Sequence, residues 1–232
     1  MNQAINAGQN FEKDTVKTNT GEIVITFVGH GTLYLNYNGI TIHIDPVDRY
    51  ADYTNLPKAD IILVTHHHGD HFSKQTIDLL LKTETKLILT ELCAEKFNGK
   101  SIVMNNGDRQ LIDEIEIQAV PAYNIVHMRD DNTPYHPKGE GNGYVISIDD
   151  KKIYVAGDTE NIPEMEALKG LVDIAFLPMN LPYTMTPEMV FDAVRLIEPK
   201  ILYPYHYGNT DLSILEDLMK GDNCELRIRD MK

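Results

Sequence analysis

Residues 61–71 read IILVTHHHGDH, and this stretch decides what kind of fold the chain adopts. An apolar run of four residues, which is typical of a short buried strand, is followed by four histidines and one aspartate within six positions. Alternate side chains of an extended chain point the same way, so His66 and His68 can offer two imidazoles to one ion. Asp70 and His71, at the following corner, can reach a second ion. The stretch therefore predicts a metal site at the end of a buried strand.

The composition predicts one soluble globular domain. Hydrophobic residues make up 42 % of the 232 residues, and no run of about 18 apolar residues could cross a membrane. No linker rich in proline, glycine or serine divides the chain. We expect a polar N-terminal tail over residues 1–20 and a single domain over residues 21–232. The tail lacks signal-peptide architecture, which favours a cytoplasmic location; a chain whose signal had been removed, and which is therefore exported, would look the same.

The charge balance constrains the partners. The formal net charge of −14 disfavours nucleic acids, because proteins bind phosphate backbones by neutralising them with lysine and arginine. We expect a small-molecule substrate, no membrane partner, and leave a homo-oligomer open. Cys93 and Cys224 follow no metal-binding spacing and are expected to be buried thiols.

The apolar pattern predicts strands and helices in two successive halves. The predicted strands are residues 22–28, 33–37, 40–44, 61–64, 86–89, 115–120, 143–148, 152–156, 173–177 and 201–205. Asn38-Gly39 is typical of a tight hairpin turn. Helices are predicted after the caps Ser73 and Thr186, and over residues 212–220. Periodicity alone indicates a mixed α and β protein.

The motif His66-x-His68-x-Asp70-His71 resembles the signature of the metallo-β-lactamase superfamily. Later segments repeat the family pattern in order: Gly157-Asp158-Thr159 after one strand, and His206 after another. The segments FVGHGT (residues 27–32) and IDP (residues 44–46) are similar to a branch of small hydrolases that includes the ascorbate-6-phosphate lactonase. The resemblance spans roughly residues 22–228 and implies an α+β fold, the αββα sandwich of that family.

The resemblance also implies a two-metal site. His66, His68 and one further histidine would hold the first ion; Asp70, His71 and His206 would hold the second, with Asp158 bridging both. Imidazole and carboxylate ligands suit zinc first, with manganese or iron as alternatives.

The third ligand of the first ion departs from the family pattern. The family places a histidine after the strand equivalent to residues 115–120, but here the chain runs into Asn124. A neutral amide is a poor ligand, so Asn124 is expected to position substrate or water. His136 is the candidate ligand, with His127 or water as alternatives. The polar segment 122–142 that carries both histidines is expected to form a mobile lid over the metals.

Four further side chains are candidates for the site. His30 either orients a ligand or substrate near the metals, or is only a histidine whose hydrogen bonds are satisfied within a tight turn. Asp45 is equally consistent with a turn-capping carboxylate. Tyr183 and Tyr207 flank the expected site loops and are candidates for hydrogen bonds to substrate.

A metal-dependent hydrolase follows from this site. The expected reaction is attack of a metal-bound hydroxide on a small ester, lactone or phosphoester, with Asp70 orienting the hydroxide and His30 assisting. The alternatives are a phosphodiesterase or nuclease, and a non-catalytic metal-binding protein.

Overall fold

Two seven-stranded sheets pack face to face in the computed structural model, which describes residues 9–232. The first sheet contains, in spatial order, β1 (Lys13–Lys17), β2 (Glu22–Gly29), β3 (Thr32–Tyr37), β4 (Ile40–Ile44), β5 (Ile61–Leu63), β6 (Lys86–Leu89) and β7 (Ile102–Val103). The second contains β8 (Arg109–Ile112), β9 (Ile115–Ala122), β10 (Gly141–Ile148), β11 (Lys151–Val155), β12 (Ile174–Pro178), β13 (Ile201–Tyr205) and β14 (Glu225–Leu226).

Both sheets follow the same scheme of strand directions. In the first sheet the pairs from β1 to β4 are antiparallel and the pairs from β4 to β7 are parallel. In the second, β8 to β11 pair antiparallel and β11 to β14 pair parallel. Because the carboxyl ends of parallel strands lie at one edge of a sheet, each half offers such an edge for binding residues.

Within residues 9–232, four α-helices accompany the parallel strands. They are α1 (Lys74–Leu80), α2 (Glu91–Phe97), α3 (Pro187–Ile197) and α4 (Leu212–Leu218). The predicted caps are confirmed, since Ser73 accepts a hydrogen bond from the Thr76 amide and Thr186 from the Met189 amide. Helix α2 was not predicted. Among residues 9–232, no helix is both long enough and apolar enough to cross a bilayer.

The predicted hairpin between β3 and β4 is confirmed. Asn38 and Gly39 have φ angles of 46° and 85°, the left-handed conformations that a two-residue turn of this kind requires. The turn sets the pairing of Tyr37 with Ile40 and keeps Leu33 opposite Ile44, so that the apolar side chains of both strands enter the interior.

The interior lies between the two sheets. Phe27 of β2 packs against Tyr203 of β13 with ring centroids 5.1 Å apart, and Phe176 of β12 stacks on the same tyrosine at 5.0 Å. A second apolar cluster joins the outer face of the first sheet to α1 and α2. Cys93 belongs to the second cluster and Cys224 to the first, and both are buried free thiols, as predicted.

The predicted N-terminal tail is wrong over Lys13–Lys17, which form edge strand β1; residues 1–8 of that prediction lie outside the described residues. The strand alternates exposed and half-buried positions, so its sequence carries too few apolar residues to indicate a strand. Asp14 accepts hydrogen bonds from Arg229 at 2.7 Å and from the Tyr203 hydroxyl. These bonds tie the first sheet to β13 of the second sheet and to the chain segment that follows that sheet.

Buried His43 should make the folded state sensitive to acid. Its Nε2 donates to the Pro57 carbonyl at 2.9 Å, and burial lowers its pKa to about 4, although that hydrogen bond acts in the opposite direction. The unfolded chain, with a histidine pKa of about 6.5, binds this proton first. Stability is therefore full above pH 6.5 and falls as the pH drops towards 4, by about 2 kcal/mol at pH 5.

His43→Gln keeps a donor at the Nε2 position and removes the titration. Urea unfolding of both proteins at pH 7.5 and pH 5, with chelator present throughout, should show the smaller loss of stability in the variant. Equal losses in the two proteins would rule out this role of His43.

Candidate metal centre

The carboxyl ends of β5, β11 and β13 meet the turn between β2 and β3 at one point between the sheets. The turn after β5 supplies His66, His68, Asp70 and His71. Asp158 follows β11, His206 follows β13, His30 lies in the turn after β2, and His136 comes from the loop between β9 and β10.

His66, His68 and His136 form the first group of candidate ligands. One ring nitrogen from each lies within 4.8 Å of the others. His66 Nε2 and His68 Nδ1 are 3.1 Å apart. This spacing confirms that the two alternate histidines point the same way, as the extended backbone predicted.

Asp70, His71, His206 and His30 form the second group, again with one ligand atom each within 4.8 Å. Asp70 Oδ2 lies 3.3 Å from His30 Nε2 and 3.6 Å from His206 Nε2. The structure thus brings His30 directly into this group, where the sequence had only suggested a neighbouring role.

Asp158 lies between the two groups. Its Oδ2 is 3.2 Å from His136 Nε2 on one side and 3.4 Å from His206 Nε2 on the other. Its Oδ1 is 3.3 Å from His71 Nε2. A carboxylate in this position can contact ions held by either group, which is the geometry required of a bridging ligand.

Three candidate ligand atoms of the site are left without partners in the described part of the chain. His71 Nε2, His206 Nε2 and Asp158 Oδ1 are buried and have no hydrogen-bond partner among residues 9–232. Buried polar groups are normally paired, and an unpaired one is costly. A divalent cation would satisfy all three atoms at once. Nitrogen and oxygen ligand atoms in this number are those that zinc and related metals prefer. The residues present therefore fit the metal ions that the family resemblance implies.

The pKa values of the site residues reflect how closely these buried groups lie together. Burial, together with nearby His136, lowers the pKa of His68 to about 4, which leaves a neutral imidazole. Burial would also lower the pKa of His71, but the Asp158 and Asp45 carboxylates raise it to about 9. The surrounding imidazoles hold the pKa of Asp158 well below its usual range despite burial.

Asp45 orients His71 from behind. It is fully buried at the end of β4, and its Oδ2 accepts a hydrogen bond from His71 Nδ1 at 2.7 Å. The Thr65 amide and hydroxyl also donate to Asp45, at 2.7 and 2.6 Å. Because Nδ1 is engaged by Asp45, Nε2 is the nitrogen of His71 that faces Asp158 and can bind a metal ion once it is deprotonated. Asp45 is therefore a supporting carboxylate of the site and caps no exposed turn.

Tight backbone geometry holds these residues together. His30, Asp45 and His206 have φ angles of 56°, 45° and 51°, in the left-handed region that non-glycine residues seldom adopt. The His206 amide donates to the His30 carbonyl at 3.1 Å. A Cβ atom on Gly31 would lie 2.5 Å from the His71 ring, so only glycine permits this turn to approach the second group.

The structure places His136, and not His127, at the first group. The His136 backbone amide and Nδ1 donate to Asn124 Oδ1 at 2.9 and 2.7 Å. This leaves Nε2 of His136 facing Asp158. His127 turns away and pairs with Glu160 at 2.6 Å.

Asn124 is buried and does not contact the cavity as a substrate group, so its predicted role is corrected. Its Nδ2 donates to Glu160 Oε1 at 3.1 Å and to the Tyr183 carbonyl at 2.9 Å. With both Oδ1 and Nδ2 engaged, Asn124 serves to orient the His136 ring.

Glu160 is the residue that sequence reasoning missed. Its side chain is completely buried and accepts the amides of Ile125, Val126 and His127 at 2.6 to 2.7 Å. These hydrogen bonds hold the pKa of Glu160 below its usual value against the effect of burial. The carboxylate thus anchors the start of the segment that was predicted to be a mobile lid. The one sequence signal for a role of Glu160 was its position two residues after the predicted ligand Asp158.

The predicted role of Tyr207 in substrate binding is wrong. Its hydroxyl donates to the Arg229 carbonyl at 2.9 Å and accepts from the Met231 amide at 3.2 Å. The side chain is buried against the C-terminal segment. Tyr183, by contrast, lines the cavity over the metal centre.

One cavity of about 380 Å³ opens above both groups of candidate ligands. Its lining combines site residues with four others from two loops: His68, Gly69, Asp70, His136, Asp158 and His206, together with Arg129, Tyr135, Asn180 and Tyr183. A cavity of this size suits a small organic molecule.

Comparison with known proteins places this chain in a family. A model of the beta-lactamase superfamily domain matches residues 24–206. A UPF0173 metal-dependent hydrolase of Nanoarchaeum equitans is 35 % identical over 189 residues, covering 79 % of this chain and 83 % of the relative. The corresponding protein of Pyrococcus furiosus is 34 % identical over 199 residues, covering 80 % and 85 %.

The fold agrees with that of a solved relative. The crystal structure of a protein described as a metal-dependent hydrolase, from Parabacteroides distasonis, superposes with a TM-score of 0.91 at 47 % identity and covers 96 % of this chain and 100 % of its own. The predicted αββα sandwich is confirmed. The chain is a metal-dependent hydrolase that belongs to the UPF0173 group of the metallo-β-lactamase superfamily.

Proposed function

We propose that the chain hydrolyses a small ester, lactone or phosphoester with two divalent metal ions, zinc in the first place and manganese or iron as alternatives. One observation carries the proposal: two groups of histidine and aspartate ligands share Asp158 at the floor of a single cavity. His66, His68 and His136 would hold one ion. Asp70, His71 and His206 would hold the other, with His30 beside them.

The chemistry divides between the ions and the side chains. When bound, divalent ions supply Lewis acidity and lower the pKa of water, so that hydroxide is available near neutral pH. Asp70 lines the cavity and remains ionised, because the His206 and His30 imidazoles hold its pKa below the usual range although burial acts in the opposite direction. Its carboxylate can therefore accept a hydrogen bond from water and orient it.

His30 positions that carboxylate. Its Nε2 contacts Asp70 Oδ2 at 3.3 Å, and its ring stacks on Tyr50 with centroids 5.2 Å apart. Ring packing on one side and the carboxylate on the other restrict His30 to one orientation. The residue thus supports Asp70, which faces the substrate cavity.

The size of the cavity and the net charge of the protein support a small substrate. The cavity of about 380 Å³ holds a compact molecule, and the net charge of −14 disfavours long polyanions. The resemblance of residues 27–32 and 44–46 to the lactonase branch makes a cyclic ester the first compound to test. A phosphodiesterase or nuclease is the alternative.

Asp158→Ala should remove metal and activity together, because the carboxylate contacts both ligand groups. Elemental analysis of the reconstituted wild type should find up to two ions per chain, and the variant should retain fewer while hydrolysis is lost. Asp192→Ala, which changes an exposed carboxylate on α3, is the matched control and should behave as the wild type. A wild type without metal, or an active Asp158→Ala protein, would contradict the proposed site.

A substrate panel tests the reaction class. Small lactones, esters and phosphoesters should be cleaved by the metal-loaded protein, with activity lost in chelator and restored by zinc or manganese. Polynucleotides should be cleaved more slowly than the best small ester, as judged by kcat/KM. Faster cleavage of RNA or DNA would establish the nuclease alternative instead.

Asn124→Ala should weaken metal binding although Asn124 itself is no ligand. Without its amide oxygen the His136 ring loses the hydrogen bonds that orient it, and residues that orient ligands change metal affinity by about 10-fold to 100-fold. His127→Ala is the matched control, since His127 also contacts Glu160 but does not contact His136. Zinc titration against a competing chelator measures both. A larger effect from His127→Ala would show that Glu160, and not the His136 contact, determines affinity.

A further inference from the structure

The residues that line the cavity include a single arginine, Arg129, and no lysine. Apart from the candidate metal centre and Gly69, the lining residues are Arg129, Tyr135, Asn180 and Tyr183. None of these four carries a negative charge. The floor of the cavity is thus suited to metal ions, and its wall carries a single permanent positive charge, that of Arg129.

Arg129 is fixed in place by its own loop. Its amide donates to the Thr133 carbonyl at 2.7 Å, and Met128 pairs with Pro134 as an isolated antiparallel bridge. Its Nη2 donates to the Tyr135 carbonyl at 3.3 Å, and its guanidinium carbon lies 4.9 Å from the centre of the Tyr135 ring. The ring in turn meets Tyr183 edge-on at 5.1 Å. Stacking on an aromatic face leaves the edge of the guanidinium available for further hydrogen bonds.

Arg129 has no carboxylate partner within the part of the chain that the structure describes, where no carboxylate oxygen lies within 4 Å of its nitrogens. Arg109, Arg227 and Arg229 all form such pairs. The nearby Asp131 directs its Oδ1 to the Thr133 amide and hydroxyl instead. Most of the donors of Arg129 are therefore unused at the edge of the cavity.

We propose that Arg129 binds an anionic group of the substrate, a carboxylate or a phosphate, while the bond to be cleaved lies over the metal centre; this inference rests on the proposed hydrolase function. The planar fork of a guanidinium matches the paired oxygens of either group. Tyr135 and Tyr183 provide aromatic surface beside it for the carbon skeleton between the two ends. The substrate class is thus a small ester or lactone that carries a separate negative charge.

The experiment compares matched substrates. Each ester is prepared with a free carboxylate, with a phosphate, and with a neutral primary amide in place of the carboxylate, and kcat and KM are measured with zinc-loaded protein. The variants are Arg129→Met, which removes the charge, and Arg129→Lys, which keeps the charge but loses the fork. Arg195→Met is the matched control, because Arg195 also faces an aromatic ring, that of Phe191 at 5.9 Å, but lies on α3 outside the cavity.

The wild type should prefer the charged esters. Arg129→Met should lower kcat/KM for them by about 10-fold or more, mainly through KM, as expected for the loss of a charge-assisted hydrogen bond. The neutral ester should change by less than about threefold in every variant, and Arg129→Lys should lie between the two. The larger of the carboxylate and phosphate effects identifies the natural group. Equal losses for charged and neutral esters, or a similar loss in Arg195→Met, would overturn the proposal.

A binding measurement separates this inference from the proposed function. The Nε–H resonance of Arg129 can be assigned in ¹⁵N spectra by its absence in Arg129→Met. Titration of the zinc-loaded protein with methyl phosphate and with acetate should shift this resonance saturably, whether or not any ester is cleaved. A protein that hydrolyses none of the esters but shows this shift would disprove the proposed function and support the anion site. Hydrolysis without any shift or charge preference would do the reverse.

Discussion

The structure depends on one constraint: nitrogen and oxygen atoms of several buried imidazoles and carboxylates converge at one point between the two sheets. His71 Nε2, His206 Nε2 and Asp158 Oδ1 are all buried without partners among the described residues. Desolvating such groups is expensive unless a cation or proton compensates them. The two sheets meet at this point, so the need for a compensating positive charge is built into the contact between the two halves of the chain.

A second layer of side chains makes the convergence specific. Asp45 accepts a hydrogen bond from Nδ1 of His71, and Asn124 accepts one from Nδ1 of His136. Each ring therefore presents Nε2 to the centre. Glu160 then holds Asn124 and the three amides that follow it. A chain of polar contacts therefore extends from the ligands to a completely buried carboxylate. Orientation of the ligands is a property of this layer, since imidazole rings alone could rotate.

The sequence predicted most of what is local. The histidine cluster, the hairpin at Asn38-Gly39 and the capped helices each depend on a few consecutive residues, and the structure has them where they were expected. Asp158 and His206 could be assigned only through the family resemblance, because nothing near them in sequence indicates metal binding.

The missed features depend on contacts between distant segments. Edge strand β1 has hardly any apolar residues, and its pairing with β2 and with Arg229 is tertiary. Glu160 gains its role from amides more than thirty residues earlier in the chain. Tyr207 resembled a site residue because it follows His206, but a single step along the chain turned its side chain towards the C-terminal segment. Adjacency to a ligand therefore predicted neither the direction of the side chain nor its partner.

The left-handed backbone of His30, Asp45 and His206 has an evolutionary consequence. Glycine would adopt these conformations without strain, and each non-glycine residue there costs about 1 kcal/mol. Mutations to glycine at these positions should relieve backbone strain, although they delete the side chains of the metal centre. Selection for folding alone would therefore tend to erase the centre. Selection for catalysis has to oppose that drift. In the metal-loaded protein, the free energy of metal binding offsets the loss of folding stability that the strained turns cause.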